Sequence, residues 1–261
     1  MVPFMNDARA APAEATLRLE NVTKDFRGFT AVKNLSLDIH RGTIHALIGP
    51  NGAGKTTVFN LATKFLPPTS GRIYFNGTDI TDKQPAEVAR LGMVRSFQIS
   101  AVFPQLTALE NVRAALQRFR KDGFYFWRSS AALNELNDRS RALLADVGIE
   151  QLAGYKAAEL PYGRRRALEL ATTLALNPEL LLLDEPMSGL GQEDVGRIAD
   201  LIRRVAASRT VLMVEHNLSV VADLSHRITV LARGEILADG VYADLVKNPA
   251  VVEAYLGSDH G

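Results

Sequence analysis

The nonapeptide GPNGAGKTT, which runs from Gly49 to Thr57, matches the pattern G-x4-G-K-[ST]. A short apolar run, Ala46-Leu47-Ile48, precedes it, and a helical periodicity from Thr56 to Phe65 follows it. Glycines let backbone N–H groups approach an anion closely, and the first turn of the following helix points its N–H groups and its dipole at the same anion. We therefore predict a loop between a strand and a helix that holds the phosphates of a nucleotide.

The positions of this loop have distinct predicted contacts. The Lys55 ammonium supplies a point charge to the β- and γ-phosphates, and the Thr56 hydroxyl is a ligand for Mg²⁺. ATP and Mg²⁺ are the expected cofactors. The residues predicted to surround the phosphates are Gly49, Pro50, Asn51, Gly52, Ala53, Gly54, Lys55, Thr56 and Thr57.

A second motif places two carboxylates after four leucines, from Leu180 to Glu185. Taken alone, this pattern is also typical of a buried strand that ends at the surface. Beside a phosphate loop it favours a hydrolytic site, in which Asp184 holds Mg²⁺ and Glu185 acts as general base for the attacking water.

Composition narrows the classes of function. The 261-residue chain carries 30 Lys and Arg against 29 Asp and Glu, a net charge of +1, whereas nucleic-acid binders show a clear basic excess. We therefore expect no nucleic-acid partner. Cysteine is absent, which excludes disulfides and thiolate metal sites. No run reaches the roughly 18 apolar residues that a membrane helix needs, so a membrane role requires a partner.

The order of strand and helix signals predicts an α/β fold. Alternating apolar residues indicate strands between Leu17 and Ile39, and uninterrupted apolar runs at 180–183, 211–214 and 228–231 suit parallel strands that are buried on both faces. Helical periodicity lies between these runs, at 164–176, 192–207 and 217–224.

The middle of the chain is mainly helical in pattern and contains a capping box, Thr107 with Glu110. We expect a loose tail over 1–14 and one domain over 15–261. Its predicted parts are a core of 15–95 and 161–235, a helical subdomain of 96–160 and a C-terminal segment of 236–261.

Several short segments stand in the order that is typical of the ATP-binding subunits of ABC transporters, which the chain resembles from about residue 16 to residue 257. Ser96-Phe97-Gln98 resembles the Q-loop, and Leu160 to Arg164 (LPYGR) takes the place of the LSGGQ signature. Ser188 to Gly191 takes the place of the D-loop, and His216 resembles the switch histidine. The resemblance implies a P-loop NTPase core of the RecA-like type, with an antiparallel β subdomain and an inserted helical subdomain.

The resemblance also implies roles for single residues. Gln98 contacts Mg²⁺ or the attacking water, His216 senses the γ-phosphate, and Phe26 stacks on adenine. The Tyr162 and Gly163 backbones contact a nucleotide that is bound by a second ATPase chain. Two departures stand out: Pro161 replaces the usual Ser of the signature, and Gly191 replaces a common Asp of the D-loop.

The LPYG form resembles the branched-chain amino acid importer group, as do VFPQLTALENV at 102–112 and KNPAVVEAYLG at 247–257. Residues 119–130 resemble the extension of the longer of that group's two ATPases. The resemblance implies a second ABC ATPase as hetero- or homodimer partner, two membrane permease subunits and, indirectly, a periplasmic solute-binding protein. It implies a cytoplasmic location, peripheral on the inner membrane, and leaves the solute open among branched-chain amino acids, other amino acids, urea and aromatic acids.

Three alternative functions and two interpretations of an aromatic cluster remain open from the sequence. The alternatives are the ATPase of an exporter such as the lipopolysaccharide extraction system, a soluble ABC protein of DNA repair or translation, and a non-enzymatic nucleotide-binding module. Phe124 to Trp127 form an aromatic cluster, which suits packing of the helical subdomain as well as docking to a membrane partner.

Overall fold

An antiparallel sheet is built mainly from the first forty residues. The computed structural model describes residues 14–96, 102–117 and 130–256. Strand β1 (Ala15–Phe26) pairs with β2 (Phe29–His40) and with β4 (Ser70–Phe75), which also pairs with β5 (Thr78–Asp79). Arg27 and Gly28 join β1 to β2 with φ of 41° and 96°, and two positive φ values are the conformation that a two-residue hairpin turn requires.

Within the described residues, a second sheet has six strands: β3 (Ile44–Ile48), β6 (Met93–Ser96), β7 (Leu180–Asp184), β8 (Thr210–Val214), β9 (Arg227–Ala232) and β10 (Glu235–Gly240). Their order across the sheet is β10-β9-β3-β8-β7-β6. All its neighbouring pairs are parallel except β9 with β10. Strands β3, β7 and β8 are buried along their whole length, which explains why their sequences are apolar without alternation.

Two apolar cores lie on opposite faces of this sheet. Ile44, Ala46 and Ile48 of β3 belong to the core that the helices cover. Leu47, between them, belongs to the core that the antiparallel sheet and α1 cover. The α-helices are α1 (Lys55–Ala62), α2 (Pro85–Arg90), α3 (Ala108–Gln117), α4 (Ser130–Asp146), α5 (Tyr162–Leu174), α6 (Gln192–Ala206), α7 (Leu218–Leu224), α8 (Tyr242–Leu245) and α9 (Pro249–Leu256).

The predicted α/β architecture is confirmed, with local differences at one helix end and at several short elements. Helix α1 ends at Ala62 rather than near Phe65, because Lys64 takes the left-handed conformation at φ 63°. Strand β6, helix α2 and strand β10 were not predicted, since each is short and has no clear periodicity. No helix within the described residues is long and apolar enough to cross a membrane.

The interface between the two sheets contains a buried imidazole. His45 on β3 is fully buried, and its Nε2 atom lies 2.8 Å from the Thr229 hydroxyl oxygen, which donates a hydrogen bond to Asp239. Burial lowers the pKa of His45 to about 4 and outweighs the opposing effect of the Asp239 carboxylate. The native state therefore holds His45 neutral at pH values at which the unfolded chain binds a proton.

This difference predicts a loss of stability on mild acidification. Between pH 7 and pH 5 the free energy of unfolding should fall by about 2 kcal/mol on account of His45, because the unfolded state gains the proton near pH 6.5 and the folded state only near pH 4. Urea unfolding at the two pH values measures this loss. The His45→Gln variant should lose most of this pH dependence of the unfolding free energy. The His216 imidazole is 66% exposed, so the His216→Gln variant should keep the pH dependence. Equal dependence in both variants would contradict the assignment.

Candidate active site

The loop that joins β3 to α1 packs so closely that glycine is required at two positions. At Gly49, φ is 150° and an added Cβ would lie 2.2 Å from the Leu231 carbonyl oxygen. At Gly54, φ is 103° and an added Cβ would lie 2.7 Å from the Ala31 carbonyl oxygen. Strands β9 and β2 thus press on the loop from both sides and fix its backbone in the conformation from which α1 begins at Lys55.

Lys55 lies within the loop and close to Glu185, the predicted general base, and to Asp184, a predicted Mg²⁺ ligand. Its ammonium donates to the carbonyl oxygens of Gly49 at 2.7 Å and Pro50 at 2.8 Å. Burial lowers the pKa of Lys55, and the carboxylates of Glu185 and Asp184 oppose that shift. The fold therefore brings together the two motifs that are about 130 residues apart in sequence.

Asp184 ends strand β7 and is 4% exposed. It forms a salt bridge with Arg95 of the neighbouring strand β6, and Arg95 also donates to Asn60 Oδ1 of α1 at 2.6 Å. No group of three or more His, Asp or Glu side chains that could bind a metal was found among the described residues. Asp184 and the Thr56 hydroxyl offer hard oxygen donors, so these residues fit Mg²⁺ as a minority of its ligands, with phosphate and water oxygens as the rest.

Glu185 begins the turn after β7 in an unusual backbone conformation. Its φ is 45°, and its amide donates to the Val214 carbonyl oxygen of β8 at 2.9 Å. A left-handed glutamate costs conformational energy, which the surrounding contacts must offset. Such strain is typical of functional positions.

The LPYGR segment is held in place by arginine and tyrosine contacts. Arg165 donates to the carbonyl oxygens of Ala157, Ala158 and Leu160 at 3.2–3.3 Å, and so fixes the turn in front of α5. The Tyr162 hydroxyl donates to the Ser188 carbonyl oxygen at 3.2 Å, although the residue is 55% exposed. An added Cβ on Gly163 would lie 2.4 Å from the Asp194 carboxylate, so a larger residue does not fit there without movement.

A buried ion pair on α5 supports the turn after β7. Arg166 pairs with Glu169 at 2.8 Å, and their side chains are 11% and 8% exposed. The same guanidinium donates to the carbonyl oxygens of Asp184 at 3.1 Å and Glu185 at 3.4 Å. Helix α5 therefore contacts the backbone of both Asp184 and Glu185.

His216 follows β8 and its side chain is 66% exposed, whereas the Glu215 side chain beside it is fully buried. One Glu215 oxygen accepts the Met187 amide hydrogen at 3.2 Å, and the other accepts the His216 amide hydrogen at 2.9 Å. Because both oxygens accept hydrogen bonds in the interior, Glu215 is not placed to activate water.

Phe26 lies at the tip of the β1–β2 hairpin and is 42% exposed. The Lys24 ammonium lies 5.2 Å from the centre of its ring. Phe26 pairs across the strands with Phe29, and two residues further on the Ala31 carbonyl faces Gly54. The hairpin strand that begins beside Phe26 therefore contacts the phosphate loop at Gly54.

Comparison with known proteins agrees with this geometry. A family model described as "ABC transporter" matches residues 32–188, which is more than half of the chain. The chain belongs to the ABC transporter family. A second model, described as "branched-chain amino acid ATP-binding cassette transporter", matches residues 235–261. The high-affinity branched-chain amino acid transport ATP-binding protein LivG of Salmonella typhimurium is 36% identical over 252 residues, which cover 94% of this chain and 99% of LivG.

Solved structures of ABC cassettes have the same fold. The ADP conformation of one transporter cassette superposes with a TM-score of 0.82 at 29% identity, over 94% of this chain and 100% of that chain. A dimeric cassette in a post-hydrolysis state, bound to ADP and phosphate, superposes with a TM-score of 0.73 at 28% identity, over 86% and 98% of the two chains. The predicted family, fold class and ATPase activity are confirmed.

The structure describes some of the residues predicted for this ABC cassette and not others. Gln98 and the aromatic cluster at 124–127 lie outside the described residues. Asp184, Glu185 and Lys55 lie close together, while the individual roles of the site residues stay predictions. Three supporting residues were missed: Arg95, Arg166 and Glu215. Each carries a charge inside an apolar or helical pattern, and that contrast was the available signal.

The ABC cassette should depend on the Arg166–Glu169 pair for stability. The Arg166→Met variant should lose about 3–5 kcal/mol of unfolding free energy, because it leaves the buried Glu169 carboxylate without its partner. The double variant Arg166→Met, Glu169→Leu should recover part of this loss, since no buried charge then remains unpaired. Urea unfolding measures both.

A surface pair provides the matched control for this prediction. Arg197 pairs with Glu193 on α6, and the Glu193 side chain is 81% exposed. The Arg197→Met variant should lose at most about 1 kcal/mol, because exposed ion pairs contribute little. If the two single variants lost equal stability, Arg166 would not have the supporting role that its contacts indicate.

Proposed function

We propose that this ABC ATPase powers the uptake of branched-chain or closely related amino acids. The observation that carries the proposal is the match of residues 235–261 to the branched-chain amino acid cassette model, together with 36% identity to LivG along nearly the whole chain. An exporter ATPase or a soluble ABC protein is less well supported, because that match includes the C-terminal segment as well as the common ATPase core. The protein would lie peripherally on the cytoplasmic face of the inner membrane.

In this proposal the loop amides and the Lys55 ammonium hold the β- and γ-phosphates of ATP, and Phe26 stacks on the adenine. Glu185 takes a proton from the attacking water, and His216 hydrogen-bonds the γ-phosphate without acting as the base. With nucleotide present, the Lys55 ammonium exchanges its bonds to Gly49 and Pro50 for phosphate oxygens. The loop carbonyls thus keep the ammonium in place until ATP arrives.

Thr56 and Asp184 would hold Mg²⁺ against the phosphates, and Gln98 would contact the same region. When bound, the ion neutralises charge on the phosphate oxygens during transfer. The Arg95 salt bridge already fixes the Asp184 carboxylate at the end of β7. An Asp184 oxygen would accept the ion, through water or directly.

A second ATPase chain would complete the site. The Tyr162 and Gly163 backbones at the start of α5 would contact a nucleotide held by the partner's phosphate loop. Exposure of Tyr162 in the single chain and the dimeric form of the solved cassette with ADP and phosphate both support this arrangement. Loss of the γ-phosphate would then weaken the dimer, and the difference in affinity for ATP and ADP limits the work available for transport.

Two membrane permease subunits and, indirectly, a periplasmic solute-binding protein complete the proposed assembly. Among the described residues, an apolar groove of about 340 Å³ lies between α2, β6 and α5, with Phe65 at its edge 51% exposed. Arg95 lines the groove and also pairs with Asp184. We propose that a permease helix docks there, because movement of that helix would displace Arg95 and, through the salt bridge, Asp184.

The Glu185→Gln variant tests the catalytic assignment. Turnover of Mg-ATP by the purified chain should fall by about 10²–10⁴-fold, because the amide cannot take a proton from water, while ATP affinity stays within a few-fold of the original. The matched control is Glu253→Gln on α9, an exposed glutamate outside the site, which should keep full turnover. Lys55→Met should lose ATP binding instead. Unchanged turnover in Glu185→Gln would refute its role as base.

Co-purification with membrane proteins tests the docking surface. Ala86→Glu places a charge in the apolar groove and should reduce recovery of the permease subunits at least fivefold in a pull-down from detergent-solubilised membranes. Ala243→Glu, on the exposed face of α8, introduces the same charge away from the groove and should leave recovery unchanged. If neither the original chain nor the control recovered integral membrane proteins, the transporter assembly would be excluded.

A further inference from the structure

Glu215 is a charged residue that the proposed chemistry does not use. Its side chain is fully buried, and its two oxygens accept the amide hydrogens of Met187 at 3.2 Å and of His216 at 2.9 Å. Burying a carboxylate is costly unless hydrogen bonds compensate for its lost hydration. A neutral apolar residue would serve better at this buried position if packing were the only requirement.

The two amides that Glu215 holds belong to segments with different predicted tasks. His216 is the residue assigned to γ-phosphate sensing. Met187 lies in the turn that begins with Glu185, and the carbonyl of the next residue, Ser188, accepts the Tyr162 hydroxyl hydrogen. One side chain therefore joins the sensing residue to the turn that carries the base and contacts the signature segment.

The chemical form of the link fits this joining role. Two N–H donors approach one group from two segments, and a carboxylate accepts from both, whereas an amide has one acceptor oxygen and one donor nitrogen. Hydrogen bonds to an ionised acceptor are also about twice as strong as neutral ones. Through these two hydrogen bonds a shift of the His216 backbone can reach the Met187 amide.

We propose that Glu215 is a positioning residue that couples γ-phosphate contact at His216 to the placement of the Glu185 turn. The proposal rests on the proposed function, because it takes His216 as the sensor and Glu185 as the base. In this proposal Glu215 has no direct contact with the nucleotide or with the attacking water. It acts by holding the segment after β7 in a fixed position relative to the segment after β8.

A double-mutant cycle on Mg-ATP turnover tests the coupling. Glu215→Gln should lower kcat at least tenfold and change the ATP affinity less than threefold, because the phosphate loop is untouched. His216→Ala should lower kcat as well. In the His216→Ala background, Glu215→Gln should cost less than threefold, because the signal that Glu215 passes on is already absent.

A purely structural role would give a different result. The two substitutions would then lower kcat by independent factors that multiply, and that outcome overturns the proposal. Thr210→Val is the matched control: Thr210 is buried at the start of β8, whereas Glu215 follows the end of that strand, and the Thr210 hydroxyl accepts the Gly42 amide hydrogen at 3.0 Å. This variant should lower the melting temperature without any coupling to His216→Ala.

A measurement on the unsubstituted chain covers the case in which Glu215→Gln does not fold. Amide hydrogen exchange at Met187 and His216 should change together when Mg-ATP replaces Mg-ADP. Independent changes overturn the proposal. If His216→Ala and Glu185→Gln lose turnover as expected but the cycle is multiplicative, only this inference fails; if Glu185→Gln keeps turnover, the proposed function itself fails.

Discussion

The turn after strand β7 is held by charged side chains from three other elements, and the catalytic arrangement depends on it. Arg95 from β6 pairs with the Asp184 side chain, Arg166 from α5 binds the Asp184 and Glu185 carbonyls, and Glu215 after β8 binds the Met187 amide. These contacts are buried, so each group was desolvated during folding and depends on its partners. They hold Glu185 in a left-handed conformation, which is uncommon for residues other than glycine.

The phosphate loop is fixed by a different kind of constraint. No side-chain hydrogen bond caps α1 at Gly54; instead, close contacts with the backbones of β2 and β9 fix the loop. Since backbone packing sets its shape, the loop amides keep their directions before nucleotide binds. The positive end of α1, the Lys55 ammonium and the two nearby carboxylates then create a site that attracts an anion and a cation side by side.

Both departures from the usual ABC motifs are accommodated by local geometry. Pro161 stands just before α5 at φ −54°, a value that its ring favours and that costs no helical hydrogen bond. Gly191 stands just before α6 in an extended conformation, without a side-chain cap. The Tyr162 hydroxyl and the Ser188 carbonyl link the same two segments by another route.

The sequence alone determined the family, the α/β class, the phosphate loop and the acidic strand end, because each depends on local spacing or on runs of apolar residues. Strand β7, for example, can be predicted from four consecutive leucines that precede two carboxylates. The tertiary structure decided which side chains support the site. Arg95, Arg166 and Glu215 are remote from one another in sequence and meet at one turn only after the sheet has formed. Long-range contacts of this kind depend on strand order, and strand order follows from the burial of both sheet faces at once rather than from any local pattern.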